Sequence, residues 1–319
     1  MLSLLVFGTV LALTAPEAGQ TATPGPPPAP ANPHGAAPGT GYVPERVFDT
    51  RRKAFSDFEA MLADLARADV ILVGEQHDDP NTHRLEAAVL QGLLRRGVPL
   101  TVSLEMFERD VQPSVDAYLA GTMDEATFLK GSRPWPRYAT DYRTLVEIAR
   151  AHGWPVIASN VPRRLAADIA KGGAAALEKA TSEEPALVAR SVQCPLDSYY
   201  ERFSATMNAH PAPGAAGKSE EEKRATTERY YLAQCLKDET MAESIVAAFE
   251  KQSGRPGAIV HYNGAFHSDF GAGVAERVRR RLPGRRVAIV SVLPVPDVDS
   301  LAPDGEDLQR AEYLVYTVK

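Results

Sequence analysis

Two short motifs concentrate the side chains able to do chemistry. Residues 70–79 read Val-Ile-Leu-Val-Gly-Glu-Gln-His-Asp-Asp, and residues 258–267 read Ala-Ile-Val-His-Tyr-Asn-Gly-Ala-Phe-His. Each is an apolar run that closes on Gly-x-x-His. A β-branched run bounded by glycine has the pattern of a strand buried on both faces. The residues past the glycine then emerge at the strand's carboxyl end, where open α/β sheets bind ligands. One such match recurs by chance. Two of them argue for a shared polar site over two isolated, hydrogen-bonded core histidines.

Two more strand-like runs close on polar residues: Val98 to Leu104 on Glu105, and Pro155 to Ser159 on Asn160-Val-Pro-Arg163. Parallel strands would gather Glu75, His77, Glu105, Asn160, Arg163 or Arg164, His261, Asn263 and His267 on one rim. His77, Glu105 and His267 could hold a divalent metal and leave positions open for water or substrate. Without a metal, a His–Glu pair can act as general base on water, and Arg163 could stabilise a developing oxyanion. The expected catalytic set is therefore Glu75, His77, Glu105, Asn160, Arg163 and His267. Asn160 suits a helix cap equally well. Asp78 and Asp79 read as N-capping groups, His83 as a surface residue of the helix that follows, and His152 as a helix C-terminal histidine.

The elements that must position these groups alternate. Helical spacing is expected over Ala54 to Ala68, Asn81 to Arg96, Val111 to Leu119, Asp124 to Lys130 and Thr140 to Ala151, between the strand-like runs. Such β-α alternation implies an α/β fold with a mostly parallel sheet flanked by helices and right-handed crossovers. The rhythm breaks over 172–252, where helices are expected at Tyr199 to Ala209 and Ser219 to Lys251. It resumes at Ile259 with a helix over Gly273 to Arg281 and strands over Arg286 to Leu293 and Tyr313 to Val318. The expected core is thus 45–171 plus 253–319, with 172–252 as an inserted helical lid.

Ahead of the core, Leu2 to Leu13 has the length of a signal-peptide apolar region and small residues after it, although no Lys or Arg precedes it. Residues 1–20 are read as an export signal, and the Pro/Ala/Gly-rich residues 21–44 as an extended linker. No cysteine stands near the apolar run, so a lipid anchor is not supported. The location expected is periplasmic or otherwise extracytoplasmic. The two cysteines, Cys194 and Cys235, would then pair as a disulfide rather than stand as separate buried thiols. A net charge of −6 argues against a nucleic-acid surface. The one Arg-rich stretch, Arg277 to Arg286, reads as a solvated helix face.

Within the lid, Tyr200, Phe203 and Met207 share one helical face, and Tyr199, Phe203 and His210 nearly share another. Such stripes serve a core as readily as a cofactor. The segments Gly74-Glu-Gln-His-Asp, Leu104-Glu-Met-Phe, Trp135…Tyr138…Tyr142, Ala158-Ser-Asn160, His261-Tyr-Asn-Gly-Ala-Phe-His267 and Gln234-Cys-Leu-Lys-Asp-Glu-Thr-Met-Ala-Glu243 occur in one order across residues 45–295. Together they resemble the ChaN group, bacterial envelope haem-binding proteins of the Tiki/TraB/erythromycin-esterase-like superfamily. The resemblance implies haem binding for iron uptake, tyrosine ligation, and a homodimer formed around cofacial haems. Tyr199, Tyr200, Phe203, Met207 and His210 become the expected haem contacts, with the axial ligand left open. In other branches of the superfamily the paired Gly-x-x-His motifs form a hydrolytic or metal site, so a metal-dependent hydrolase is the alternative and enzymatic activity stays undecided.

Overall fold

The computed structural model describes residues 44–209, 217, 219–252 and 257–319. The expected export signal, nearly all of the linker, and His210 lie outside the described residues. The chain opens with β1 (Glu45–Asp49), β2 (Ala54–Ser56), α1 (Phe58–Leu65), β3 (Val70–Glu75), α2 (Pro80–Arg95) and β4 (Leu100–Glu108). Then come α3 (Gln112–Leu119), α4 (Glu125–Ser132), α5 (Tyr138–Asp141), α6 (Arg143–Ala151) and β5 (Val156–Asn160). Three helices follow: α7 (Arg163–Glu183), α8 (Ser198–Ala209) and α9 (Glu220–Lys251). The chain closes with β6 (Ala258–Gly264), α10 (Gly273–Arg281), β7 (Val287–Val295), α11 (Asp307–Arg310) and β8 (Tyr313–Val318).

The eight strands form one sheet in the order β2-β1-β8-β7-β3-β6-β4-β5. The stretch from β8 to β5 is parallel, whereas β1 runs antiparallel to both β2 and β8. From β3 the chain moves out through β4 to β5, returns as β6 between β3 and β4, and continues as β7 on the far side of β3. Register then fixes the rim. Glu75 lies level with Gly264, and Glu105 lies one residue past the Leu104–Tyr262 pair.

β3 is buried on both faces because alternate side chains enter different cores. Ile71 and Val73 pack with Leu62, Leu90, Leu93 and Val260. Val70 and Leu72 pack with Met241, Ile245, Ile259 and Val278. The C-terminal half of α9 is thus part of the cover on the second sheet face. Its N-terminal half instead carries Tyr231 and Cys235, which pack with Tyr199 and Phe203 of α8. Ser219 starts α9 with a capping box completed by Glu222, satisfying first-turn N–H groups.

Two stretches of the fold differ from expectation. Ala54–Ser56 is a strand pairing with β1, and α1 begins only after Asp57, whose side chain accepts from the Ala60 amide. The Arg-rich stretch is not simply a solvated face: Arg277 is buried, and Arg277, Arg280 and Arg281 all pair with the buried Glu239 of α9. These pairs clamp α10 to α9. Cys194 and Cys235 form a disulfide across a sequence separation of 41 residues, fixing the segment ahead of α8 to α9. Closing a loop of that size constrains the unfolded chain, so Cys194→Ser with Cys235→Ser should cost roughly 2–4 kcal/mol. Urea unfolding of oxidised wild type and the double variant checks this, and equal midpoints would contradict it.

Candidate functional site

The rim assembles at the carboxyl ends of β3, β4 and β6. Glu75 ends β3 with a fully buried carboxylate. Its Oε1 contacts His77 Nδ1 and accepts the Tyr142 hydroxyl hydrogen at 2.9 Å. His77 keeps 37% of its side chain exposed, and its ring packs edge-on against Trp135. Its Nε2 reaches toward Gly264, where a Cβ would stand only 2.8 Å from that nitrogen and 3.7 Å from Glu105 Oε2. The missing side chain is what lets the imidazole and the second carboxylate approach each other.

Glu105 leaves the sheet buried. Its Oε2 accepts the Gly264 amide at 2.8 Å, and its Oε1 lies 3.3 Å from His267 Nε2. The other nitrogen of His267, Nδ1, lies 2.6 Å from Asp238 Oδ1 on α9. Asp238 Oδ2 in turn accepts the Tyr199 hydroxyl at 2.9 Å, and Gln234 donates to that hydroxyl at 3.1 Å. Asn160 Nδ2 donates to the Glu105 carbonyl at 3.1 Å, while its Oδ1 accepts the Val161 amide. It therefore fixes the backbone under Glu105.

The charges follow from this pairing. Burial opposes ionisation of Glu75, but the hydrogen bond and charge of His77 outweigh it and lower the carboxyl pKa. Burial likewise works against a charged His77, yet Glu75 and then Glu105 raise its pKa. Glu105 is held well below the usual carboxylate range, because the charge of His267 overcomes desolvation. His267 is pushed up to about 9: burial disfavours its charged form, but Glu105 and Asp238 prevail. Three buried carboxylates thus stand against two imidazoles.

The structure brings Glu75, His77, Glu105, Asn160 and His267 together but leaves Arg163 out. Arg163 is an exposed residue opening α7, and no hydrogen bond or ion pair joins it to the cluster among the described residues. Arg164 instead pairs with Glu184. His261 is not on the rim. It lies within β6, bonded through Nδ1 to Ser103 at 2.9 Å, and burial lowers its pKa to about 3. His77, Glu105 and His267 do not form a metal set: among the described residues they are not a group that brings one ligand atom each within 4.8 Å of the others. His83 is not at the surface either. It is buried against Glu86 and Asp141. Asp79 caps α2 through the Thr82 amide, whereas Asp78 makes no such bond, and His152 ends α6 as expected.

Sequence reasoning missed Asp238, Gln234 and Tyr142. Gln234 and Asp238 stand one helical turn apart beside Cys235, so polar residues on an otherwise buried stripe were the available signal. The expected haem contacts divide. Tyr199 and Phe203 are buried, and the Tyr199 hydroxyl is committed to Asp238 and Gln234. Tyr231 donates to the Pro195 carbonyl at 3.1 Å. Tyr200 and Met207 are half-buried, and no hydrogen bond reaches the Tyr200 hydroxyl among the described residues. Exposed Tyr230 and Leu196 flank this face in sequence. A half-buried phenol with a free oxygen, amid aromatic and thioether side chains, fits a haem ligand and its apolar surround.

The model of the haem-binding uptake proteins of the Tiki superfamily, ChaN, matches residues 61–278. The chain belongs to this family. A solved structure described as cofacial heme binding to ChaN of Campylobacter jejuni is similar over 86% of this chain and 97% of that one, with 17% identity and a TM-score of 0.64. That likeness shows the ChaN-like α/β fold. An erythromycin esterase, EreC, aligns over 86% of this chain and 83% of its own at 14% identity, and a toxin effector domain of Vibrio vulnificus over 74% and 36% at 18% identity. Their TM-scores are 0.44 and 0.38. No curated protein matches the chain.

Two measurements test the rim. In Gly264→Ala the new methyl would strike the His77 ring, and this strain should lower stability by about 1–3 kcal/mol. A melting curve unchanged from wild type would refute it. Because the folded pKa of His267 lies above the usual 6.5, its stabilising effect is complete below about pH 6.5 and is lost as pH rises through about 9. Glu105, with a lowered pKa, behaves oppositely and loses its contribution in acid. Melting temperature against pH should therefore fall toward 9 in wild type and fall less in His267→Gln; parallel curves would contradict the pairing.

Proposed function

We propose that this protein is an exported, envelope haem-binding protein that serves haem or iron uptake, holding haem on the α8–α9 face with Tyr200 oxygen as the axial ligand. The observation that carries the ligand assignment is the division among the tyrosines. The Tyr199 and Tyr231 hydroxyls are committed to hydrogen bonds inside the protein, whereas those of Tyr200 and Tyr230 have no such bond among the described residues, and of these two it is Tyr200 that packs with Tyr231 in the aromatic cluster. Met207, Tyr230 and Leu196 would supply apolar cover, and the haem would supply the iron that is carried.

Family membership and the fold shared with the Campylobacter jejuni protein support this reading. The disulfide and the apolar N-terminal run support export. No helix among the described residues is long and apolar enough to cross a membrane. Leu196 and Tyr230, close in sequence to the aromatic residues of α8 and α9, are exposed, and a homodimer that stacks two haems would cover them.

A hydrolytic reading rests on different atoms. His77, oriented by Glu75 and partly exposed, could hand a proton to or from water at the rim. Hemin titration separates the two readings. A Soret shift in wild type, with affinity weakened roughly ten-fold or more in Tyr200→Phe, is expected, together with a shift of molar mass to the dimer on hemin addition. No Soret shift would overturn the haem reading, and an unchanged Tyr200→Phe titration would overturn the ligand assignment.

A further inference from the structure

A second polar cluster shares Glu75 with the rim and adds His83 and Glu86, which neither reading uses. The first two turns of α2 place His83 and Glu86 three residues apart on its buried side, facing Glu75. His83 Nε2 lies 3.2 Å from the His77 carbonyl and 3.4 Å from Asp141 Oδ2. The His77 carbonyl can only accept, so an imidazole that ligates a cation through Nδ1 would keep its ring hydrogen on Nε2 for that carbonyl. Nδ1 is 2.9 Å from Glu86 Oε2 and 3.6 Å from Glu75 Oε2. Glu75 Oε2 and Glu86 Oε1 are buried from solvent and have no hydrogen-bond partner among the described residues.

We propose that Glu75, His83 and Glu86 form a binding site for one first-row divalent cation, Zn2+ or Mn2+. One atom from each of the three side chains falls within 4.8 Å of the others. Metal–ligand lengths near 2.1 Å place neighbouring ligand atoms about 3 Å apart, and the two separations at Nδ1 bracket that value. One imidazole and two carboxylates are a mixed nitrogen–oxygen set suited to such ions. Asp141 and the His77 carbonyl are the outer partners that orient the imidazole, and Arg137 neutralises Asp141 from outside at 2.7 Å. Two buried carboxylates side by side need a positive partner. The site is separate from the haem face and does not depend on the haem reading.

The test uses the full chain, freed of metal by chelator and then titrated with Zn2+ or Mn2+ alone, with bound ion counted by elemental analysis and Co2+ as the absorbance probe. Wild type should bind one equivalent. Glu86→Gln and His83→Gln should weaken binding at least ~10-fold, while His267→Gln at the rim should leave it unchanged, with circular dichroism confirming each fold. Glu86→Gln closely matches the shape of a protonated Glu86 and is the variant expected to fold without strain. Failure of wild type to retain an equivalent, or wild-type affinity in Glu86→Gln, would overturn the proposal in favour of a shared proton. Loss of the ion in His267→Gln would move it to the rim and overturn the assignment as well.

Discussion

Compensation of buried negative charge at the carboxyl edge of the sheet is the constraint on which the rest of the molecule depends. Glu75, Glu105 and Asp238 are all removed from water, and an unpaired carboxylate in that setting is costly enough to unfold a domain of ordinary stability. Each of the three therefore has an imidazole against it: His77 for Glu75, and His267 between Glu105 and Asp238. Backbone follows from that pairing. Gly264 lacks a side chain so that His77 can approach. Its amide is spent on Glu105, and Asn160 ties β5 to the carbonyl beneath the same carboxylate.

The same logic extends outward from the edge. Asp238 could not face His267 unless α9 crossed the sheet at that level, and α9 is held there by its apolar contacts with β3 and β6 and by the Glu239 clamp to α10. Such buried ion clusters are weak sources of net stability, since desolvation consumes most of the attraction. Their value lies in geometry: removing one partner leaves the others uncompensated, so the arrangement tolerates little displacement.

Strands buried on both faces were the most legible part of the sequence, because parallel strands read as unbroken apolar runs. β1 and β2 were not legible, since a short edge pair is fixed by distant β8 and carries no pattern of its own. The rim carboxylates and imidazoles followed from their places at strand ends. Those contributed by helices did not. His83 and Glu86 lie on the buried stripe of α2 that also holds Val89, Leu90 and Leu93, and polar residues on such a stripe were the signal overlooked. Arg163 failed for the opposite reason. Position after a strand fixes where a residue begins, whereas the turn into α7 decides whether its side chain meets the site. Likewise, helical spacing grouped the α8 aromatics as a face, but only the fold shows which phenols are already engaged.

α9 runs for 32 residues, a rod of about 48 Å. Along it Tyr231, Gln234, Cys235 and Asp238 recur at three- and four-residue steps, so they share a single ridge. The first packs the α8 aromatics, the third is covalently stapled, and the last grips an imidazole at the sheet edge. A rod cannot slide at one end alone. Any adjustment of the aromatic face along the helix axis must reposition Asp238 in step, so the state of that face is written into the hydrogen bond at His267.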